Sequence, residues 1–409
     1  MSWRGTAWVR LLAFVMIACG GEESSPGPDV GAGTPDVDWM DGYIAQDVGD
    51  PSDTWTPPDP TAVGPGEAGA YRVGFVEDTI TYTPEPSTEA RTLRAAIWYP
   101  TLDEQGDVTL YYPGTIKREE VWRGASAAPH AGWPVMVFSH GYSGFAENSY
   151  FLPEHFASHG WLVIAADHTG NTVEQLNAPV DNSMYAYRPQ DVSAMIDHLE
   201  MNGEGAPWAG KGDTNKVVVS GHSYGGYTTL VSCGVSFDTE TLMAQCEAGE
   251  GATKFCDGFN DDLASVFQAG LGDPRIVAGL PMAPGDSSYL SPGVGSVEVP
   301  VMQIVGGLDG GSPADGVGDG IWEGLVGPQH ARVHIATAGH QSFTVMCEWF
   351  PGVFDDCSDE FMDSQEVHRI TNTYALAFAR HHVLDDGSVV GILDGTVEVN
   401  PEVTLLRKP

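Results

Sequence analysis

The chain is predicted to fold around a mostly parallel β-sheet with helices on both faces, an α/β architecture. Three observations carry this. Short apolar runs without polar alternation recur through the chain, as strands buried on both faces would. Stretches with helical periodicity are interspersed with them, so strand and helix alternate. The apolar runs also close on glycines and reactive polar side chains, which places chemistry at strand ends, where open parallel sheets gather ligands.

Taken in chain order, the first residues read as a targeting signal. Arg4 and Arg10 supply positive charge, and LLAFVMIAC (11–19) is apolar but too short to span a bilayer. MIACGG resembles a bacterial lipobox, which implies cleavage before Cys19 and lipidation of its thiol. An ordinary signal peptide cut nearby is the alternative, and both versions export the chain. Residues 20–66 are rich in Pro, Gly, Asp, Glu, Ser and Thr and read as a solvated acidic linker, so the catalytic domain is expected over 67–409.

RTLRAAIWYP (91–100) alternates and ends at proline, as a strand does. WPVMVFSHG (133–141), WLVIAADH (161–168), KVVVSGHS (216–223), VPVMQIVGG (299–307) and ARVHIATAGH (331–340) are expected as buried strands. In residues 187–200, Val192, Met195, Ile196 and Leu199 share one helical face, and Val367, Ile370, Tyr374 and Phe378 do so in 367–383. Segment 233–275 interrupts the alternation and is expected as a small cap over the sheet edge. In an oxidising compartment, Cys246–Cys256 and Cys347–Cys357 could each close a short loop, although spacing does not set the connectivity. Cys233 is left as a buried free thiol. Trp98, Trp161 and Trp349 read as core or as lining of a substrate pocket.

The charge balance excludes one class of partner. The 409 residues carry 18 Lys plus Arg against 56 Asp plus Glu, a formal charge of −38. Such a field repels nucleic acid and anionic lipid headgroups and favours neutral or cationic ligands.

Chemistry concentrates at strand ends, where His140, Asp167, Ser223, Asp309 and His340 fall. Gly221-His222-Ser223-Tyr224-Gly225 is a G-x-S-x-G pentapeptide between an expected strand and an expected helix, the setting of a nucleophile elbow. His340 is the candidate base and Asp309 its orienting acid, in the chain order Ser, Asp, His that the α/β-hydrolase arrangement requires. Asp315 and Asp319 rival Asp309 in the same acid-rich loop, which does not match an EF-hand spacing for calcium. The backbone N–H groups of Tyr142 and Tyr224 are the candidate oxyanion donors. His155 and His159, four apart, lack the third ligand of a metal site and read as a solvated helix face. His381 and His382 suit the end of the last helix.

IWYP (97–100), FSHGYSG (138–144), LPEHFASHGWLVIAADHTGNT (152–172), YRPQDVSAMIDHL (187–199), GHSYGG (221–226) and AGHQSF (338–343) together resemble the dienelactone-hydrolase-like α/β hydrolases. These are similar to platelet-activating-factor acetylhydrolases and, more distantly, to cutinase-like polyester hydrolases. The resemblance spans about Tyr71 to Val383. It implies Ser223 as nucleophile, Asp309 and His340 completing a triad, and oxyanion donors at Tyr142 and Tyr224. True dienelactone hydrolases use cysteine, so serine argues against that substrate. The expectation is an exported serine hydrolase of carboxylic esters, acting as a monomer without metal or organic cofactor. It would act on a small or polymeric ester in the periplasm, at the cell surface or outside the cell, touching membrane only through its lipid anchor. A peptidase on the same fold, or a non-catalytic cell-surface binding protein, are the competing expectations.

Overall fold

The computed structural model describes residues 57–409 apart from 113, 115, 176–180, 202, 204, 250–255, 257, 258, 286–289, 291, 292, 311–317, 351 and 352. The expected signal, Cys19, the linker as far as residue 56, and Asp315 lie outside the described residues.

The apolar runs form the centre of an eleven-stranded sheet. Its strands are β1 (Arg72–Tyr82), β2 (Arg91–Thr101), β3 (Asp107–Tyr111), β4 (Ile116–Arg123), β5 (Trp133–Ser139), β6 (Leu162–Ala166), β7 (Gly212–His222), β8 (Ile276–Met282), β9 (Met302–Gly306), β10 (Ala331–Ile335) and β11 (Val403–Arg407). The order is β11-β10-β9-β8-β7-β5-β6-β2-β1-β4-β3. From β6 to β10 every neighbouring pair is parallel, while β2, β3 and β11 join antiparallel. This is the α/β-hydrolase architecture expected from the sequence. β1, β3, β4, β8 and β11 escaped the sequence reading. β4 reads IKREEVWR, a charged strand near the sheet edge, where burial selects few apolar positions and charge discourages edge-to-edge pairing. β8 carries Pro281, which has no N–H to donate and is unusual in a central strand.

Alternate residues of each central strand serve opposite faces. Val135 and Val137 of β5 join one buried cluster, and Met136 and Phe138 join the other. The first cluster lies under α2 (Met184–Glu200) and α3 (Tyr224–Ser232), and the second under α1 (Phe151–Ser158) and α8 (Ser364–Leu384). Double-sided burial explains why these strands show no polar alternation. The insertion after α3 contributes α4 (Thr239–Ala248) and α5 (Asp261–Ala269). Leu263, Val266 and Phe267 of α5 belong to the same cluster as α2 and α3. The insertion therefore thickens the helical layer on one face, and the expected cap over the sheet edge is corrected. Its apolar stripe on α5 requires a buried partner, which α2 supplies. Cys246–Cys256 and Cys347–Cys357 are both bonded, and Cys233 is free and buried. Two further helices, α6 (Asp319–Gly324) and α7 (Met346–Trp349), flank the strand-end loops. Among the described residues no helix is long and apolar enough to cross a membrane.

α2 contains Pro189, which cannot donate to the carbonyl one turn earlier. That carbonyl, of Tyr185, instead accepts from the Tyr227 hydroxyl of α3 at 3.1 Å. A helix flaw thus becomes an inter-helix fastener beside the elbow. At the N-terminal end, the Arg380 guanidinium donates to the carbonyls of Thr61 and Val63 at 2.9 and 2.7 Å. His155 and His159 donate ring N–H groups to the carbonyls of Pro65 and Glu67 at 2.8 and 2.9 Å. The expected solvated face of α1 is therefore corrected, since both imidazoles are used to hold the incoming chain. The domain boundary at residue 67 also moves earlier, because residues 61–65 are already bonded to α1 and α8.

Replacing Tyr227 by Phe removes the hydroxyl from the proline-orphaned carbonyl. It is expected to lower unfolding stability by about 1–3 kcal/mol, measured by urea denaturation.

Candidate active site

Ser223 follows the last residue of β7 and stands at the N-cap of α3 with φ 56° and ψ −114°. A side chain in this region of backbone space is strained and persists only where its surroundings force it. Two glycines explain the forcing. A Cβ at Gly225 would stand 1.8 Å from the Ser139 carbonyl oxygen, and one at Gly221 would stand 2.4 Å from the Gly225 oxygen. The strand end, the turn and the first helical turn touch backbone to backbone, so only glycine fits on either side of the serine. The Ser223 N–H donates to Met282 at 2.9 Å, and its carbonyl accepts from Gly285 at 3.0 Å.

His340 lies in the loop after β10 and Asp309 in the loop after β9. The Ser223 hydroxyl is 2.9 Å from His340 Nε2, and His340 Nδ1 is 2.8 Å from Asp309 Oδ2. An ionised carboxylate only accepts, so Nδ1 carries the proton and Nε2 is free to accept from the serine. The Asp309 side chain has no solvent exposure, and that of His340 is 16 % exposed. Three residues separated by 86 and 31 positions in sequence are thus aligned in one hydrogen-bonded chain. Asp319, the rival within the described residues, instead pairs with Arg332 at the start of α6. Among the described residues no group of three or more His, Cys, Asp or Glu side chains could hold a metal ion.

The His340 loop is braced from two sides. Gln341 N–H donates to Asp356 Oδ2 at 2.5 Å, and Asp356 lies inside the loop closed by Cys347–Cys357. On the other side His222 Nε2 is 2.9 Å from the His340 carbonyl; a carbonyl only accepts, so Nε2 carries the proton. His222 therefore ties the turn at Ser223 to the loop of His340, a contact its position inside the pentapeptide did not reveal.

Tyr142 lies in the loop after β5; the residue is 49 % exposed and its ring lies 6.4 Å from the Tyr224 ring. The neighbouring Gly141 backs onto the elbow: a Cβ there would lie 3.5 Å from Ser223 Cβ. Among the described residues no acceptor takes the Tyr142 N–H. Phe145 stacks on the half-buried Trp349 at 5.7 Å, while Trp98 and Trp161 are fully buried in the core. A separate cleft of about 610 Å³, lined by Arg118, Tyr150, Glu154 and His368, does not include the triad.

Behind the loop lies a buried polar network that the sequence reading did not assemble. Ser139 Oγ is 2.9 Å from His168 Nε2, and His168 Nδ1 is 2.7 Å from Asp191 Oδ2. Asp191 also accepts from Arg91 at 2.7 and 2.9 Å and from the Tyr82 hydroxyl at 2.5 Å. Arg94 bridges Asp167 and Glu147, so the strand-end acid Asp167 is bound to a neighbouring cation. Arg188 and Asp191, three apart on a helical face expected to be apolar, were the available signal. Burial holds these imidazoles neutral. It pulls His168 down to about 4 and His222 to about 3, and drives His140 well below the ordinary histidine range. The Arg188 charge adds to the depression at His140 and His168, and His340 adds to it at His222.

A strained serine at an elbow, aligned with a histidine and a buried acid on a mostly parallel sheet, is an arrangement that the α/β-hydrolase fold accommodates. The family described as platelet-activating factor acetylhydrolase, isoform II, matches residues 104–177. That stretch includes the loop after β5 but not Ser223, Asp309 or His340. Among solved structures, a ferulic acid esterase from Streptomyces cinnamoneus is similar with a TM-score of 0.62 and 20 % identity, covering 84 % of this chain and 98 % of its own. No curated protein matches the chain.

The buried histidines make stability pH-dependent with a definite sign. Their folded pKa values lie below the unfolded value of about 6.5, so the unfolded chain binds more protons once the pH falls below it. Stability is therefore fully present above about pH 6.5 and falls by about 1.4 kcal/mol per pH unit for each such histidine below it. Urea unfolding at pH 7.5 and pH 5 is expected to show the lower midpoint at pH 5.

Proposed function

We propose that this chain is a serine hydrolase of carboxylic esters. One observation carries the reading: the unbroken Ser223–His340–Asp309 hydrogen-bonded chain, with the serine held at a positive φ. Ser223 Oγ attacks the acyl carbon while His340 Nε2 takes its proton, and the carbonyl electrons move onto oxygen. The buried Asp309 carboxylate offsets the imidazolium charge. The oxyanion is held by the Tyr142 and Tyr224 N–H groups. Collapse of this intermediate expels the alcohol, which takes the proton from His340 and leaves an acyl-enzyme. Water, activated by the same imidazole, then releases the acid. Every proton moves between serine, histidine, substrate and water, so the cycle balances without further reactants.

The similarity over 104–177 to an acetylhydrolase family and the fold shared with a ferulic acid esterase support ester cleavage. The −38 charge favours neutral or cationic esters, short-chain, acetylated or polymeric, over anionic ones. Amide cleavage on the same triad ranks below this, because an amine must be protonated more firmly to leave. Export and anchoring through a lipid on Cys19 belong to the same reading; the two disulfides, which persist in oxidising compartments, support the export.

The purified enzyme is expected to hydrolyse p-nitrophenyl acetate, with Ser223→Ala losing at least about 10³-fold in kcat and Asp309→Asn about 10⁴-fold. A fluorophosphonate probe is expected to label Ser223; wild-type turnover by the alanine variant would refute the proposal. Cys19→Ser is expected to move the protein from the membrane to the soluble fraction.

A further inference from the structure

Arg188 is a buried cation without a counter-ion of its own. Its side chain lies in α2 with no solvent exposure, and among the described residues no carboxylate forms an ion pair with it. The carboxylate one turn along, Asp191, is already held by Arg91, His168 and Tyr82. Arg188 donates only to neutral acceptors: Asn171 Oδ1 at 2.9 Å, Ser139 Oγ at 3.2 Å and, more closely, the His140 carbonyl. Its Nε has no partner within the described residues. Burial pulls its pKa down to about 10, so it remains charged at neutral pH. Burying an ion in this way costs several kcal/mol even after relaxation. Such a cost is retained where something else depends on the charge.

The surroundings show what depends on it. On one side Arg188 clamps the His140 carbonyl at the root of the loop that carries Tyr142. The next peptide is pinned as well. His140 Nε2 accepts from the His168 backbone N–H at 3.0 Å, so the proton lies on Nδ1, which donates to the Gly141 carbonyl at 2.7 Å. The Gly144 N–H reaches the same carbonyl at 3.2 Å. A trans peptide is planar, so the Tyr142 N–H points the opposite way from this pinned carbonyl. On its other side the Arg188 guanidinium lies 4.4 Å from the centre of the Tyr224 ring. One side chain therefore touches the root of one oxyanion donor and the side chain of the residue bearing the other.

We propose that Arg188 is the positioning residue of the oxyanion hole. It fixes the Tyr142 and Tyr224 N–H groups relative to each other and places a buried positive charge behind the oxygen that becomes negative. Ser139, His168 and Asp191 complete the support: Ser139 donates to His168, accepts from Arg188, and His168 donates to Asp191. This rests on the ester-hydrolase reading, and it assigns Arg188 no contact with substrate.

The test uses the whole purified enzyme with Arg188→Met and Arg188→Lys, p-nitrophenyl acetate as substrate, and a trifluoromethyl ketone whose adduct on Ser223 carries an oxyanion. Rates are expressed per folded molecule, counted from urea unfolding curves. Arg188→Met is expected to lower kcat by about 10²-fold with KM changed by less than about threefold, and to weaken the ketone by the same factor as kcat/KM. Arg188→Lys keeps the charge but loses the fork and the stacking, and is expected to fall about tenfold in both measures. Ketone affinity that stays at the wild-type value while kcat falls, or wild-type kcat per folded molecule in either variant, overturns the proposal. If Arg188→Met does not fold, Arg188→Lys decides alone: wild-type values in both measures overturn it. Activity surviving Ser223→Ala would instead sink the underlying reading, whatever Arg188 does.

Discussion

Backbone meets backbone where β5, β7 and α3 converge, and the rest of the site depends on that approach. No Cβ fits between Gly225 and the Ser139 carbonyl. The chain must therefore turn from strand to helix within one residue, and that residue takes a positive φ. The strain lifts the Ser223 hydroxyl off the sheet and sets it where the loops after β9 and β10 can reach. β5 and β7 are adjacent at the point where strand order reverses around β5, so a crevice exists there before any side chain is considered. Strain at one serine is affordable because two layers of fully buried side chains hold both neighbouring strands.

Electrostatics is arranged in two layers around this point. The chain as a whole is strongly acidic, while the interior behind the site holds neutral imidazoles and a guanidinium that, among the described residues, pairs with no carboxylate. Burial strips the proton charge from His140, His168 and His222, which leaves them as directional hydrogen-bond parts instead of cations. His222 then links the end of β7 to the His340 loop, and His140 links the loop after β5 to the chain just past β6. These contacts join segments that diverge in sequence and hold Ser223, His340 and Asp309 in register with one another. Arg188 keeps its charge because guanidinium resists deprotonation even when desolvated.

The two disulfides act in different places. Cys246–Cys256 closes a surface insertion that adds helices α4 and α5 to one face. Cys347–Cys357 closes the loop holding Asp356, which receives Gln341 immediately after the base. The residue order in this part of the chain, His340 and then the stapled loop, places a covalent constraint beside the candidate base. The N-terminal segment is secured differently, by carbonyls accepting from Arg380, His155 and His159, so that side chains of α1 and α8 serve as its attachment.

Much of this was determined by sequence alone. Unalternating apolar runs such as VMVFS and KVVVS must be buried on both faces, and that requirement specifies a parallel sheet between helices. The pentapeptide at 221–225 specifies its elbow because two glycines flank a serine directly after a strand. Ser223, Asp309 and His340 were legible because each follows a strand end in the right order. The tertiary structure decided what depends on distance between remote segments. Charged β4 and proline-bearing β8 follow the sheet because their neighbours supply hydrogen bonds that local pattern does not record. Asp309 and Asp319 are alike in sequence, and only the position of Arg332 draws one of them away. Arg188 lies on a helix whose neighbouring residues read as core. The role proposed for it follows from the two segments it touches, and contact between remote segments is a property of the folded chain alone.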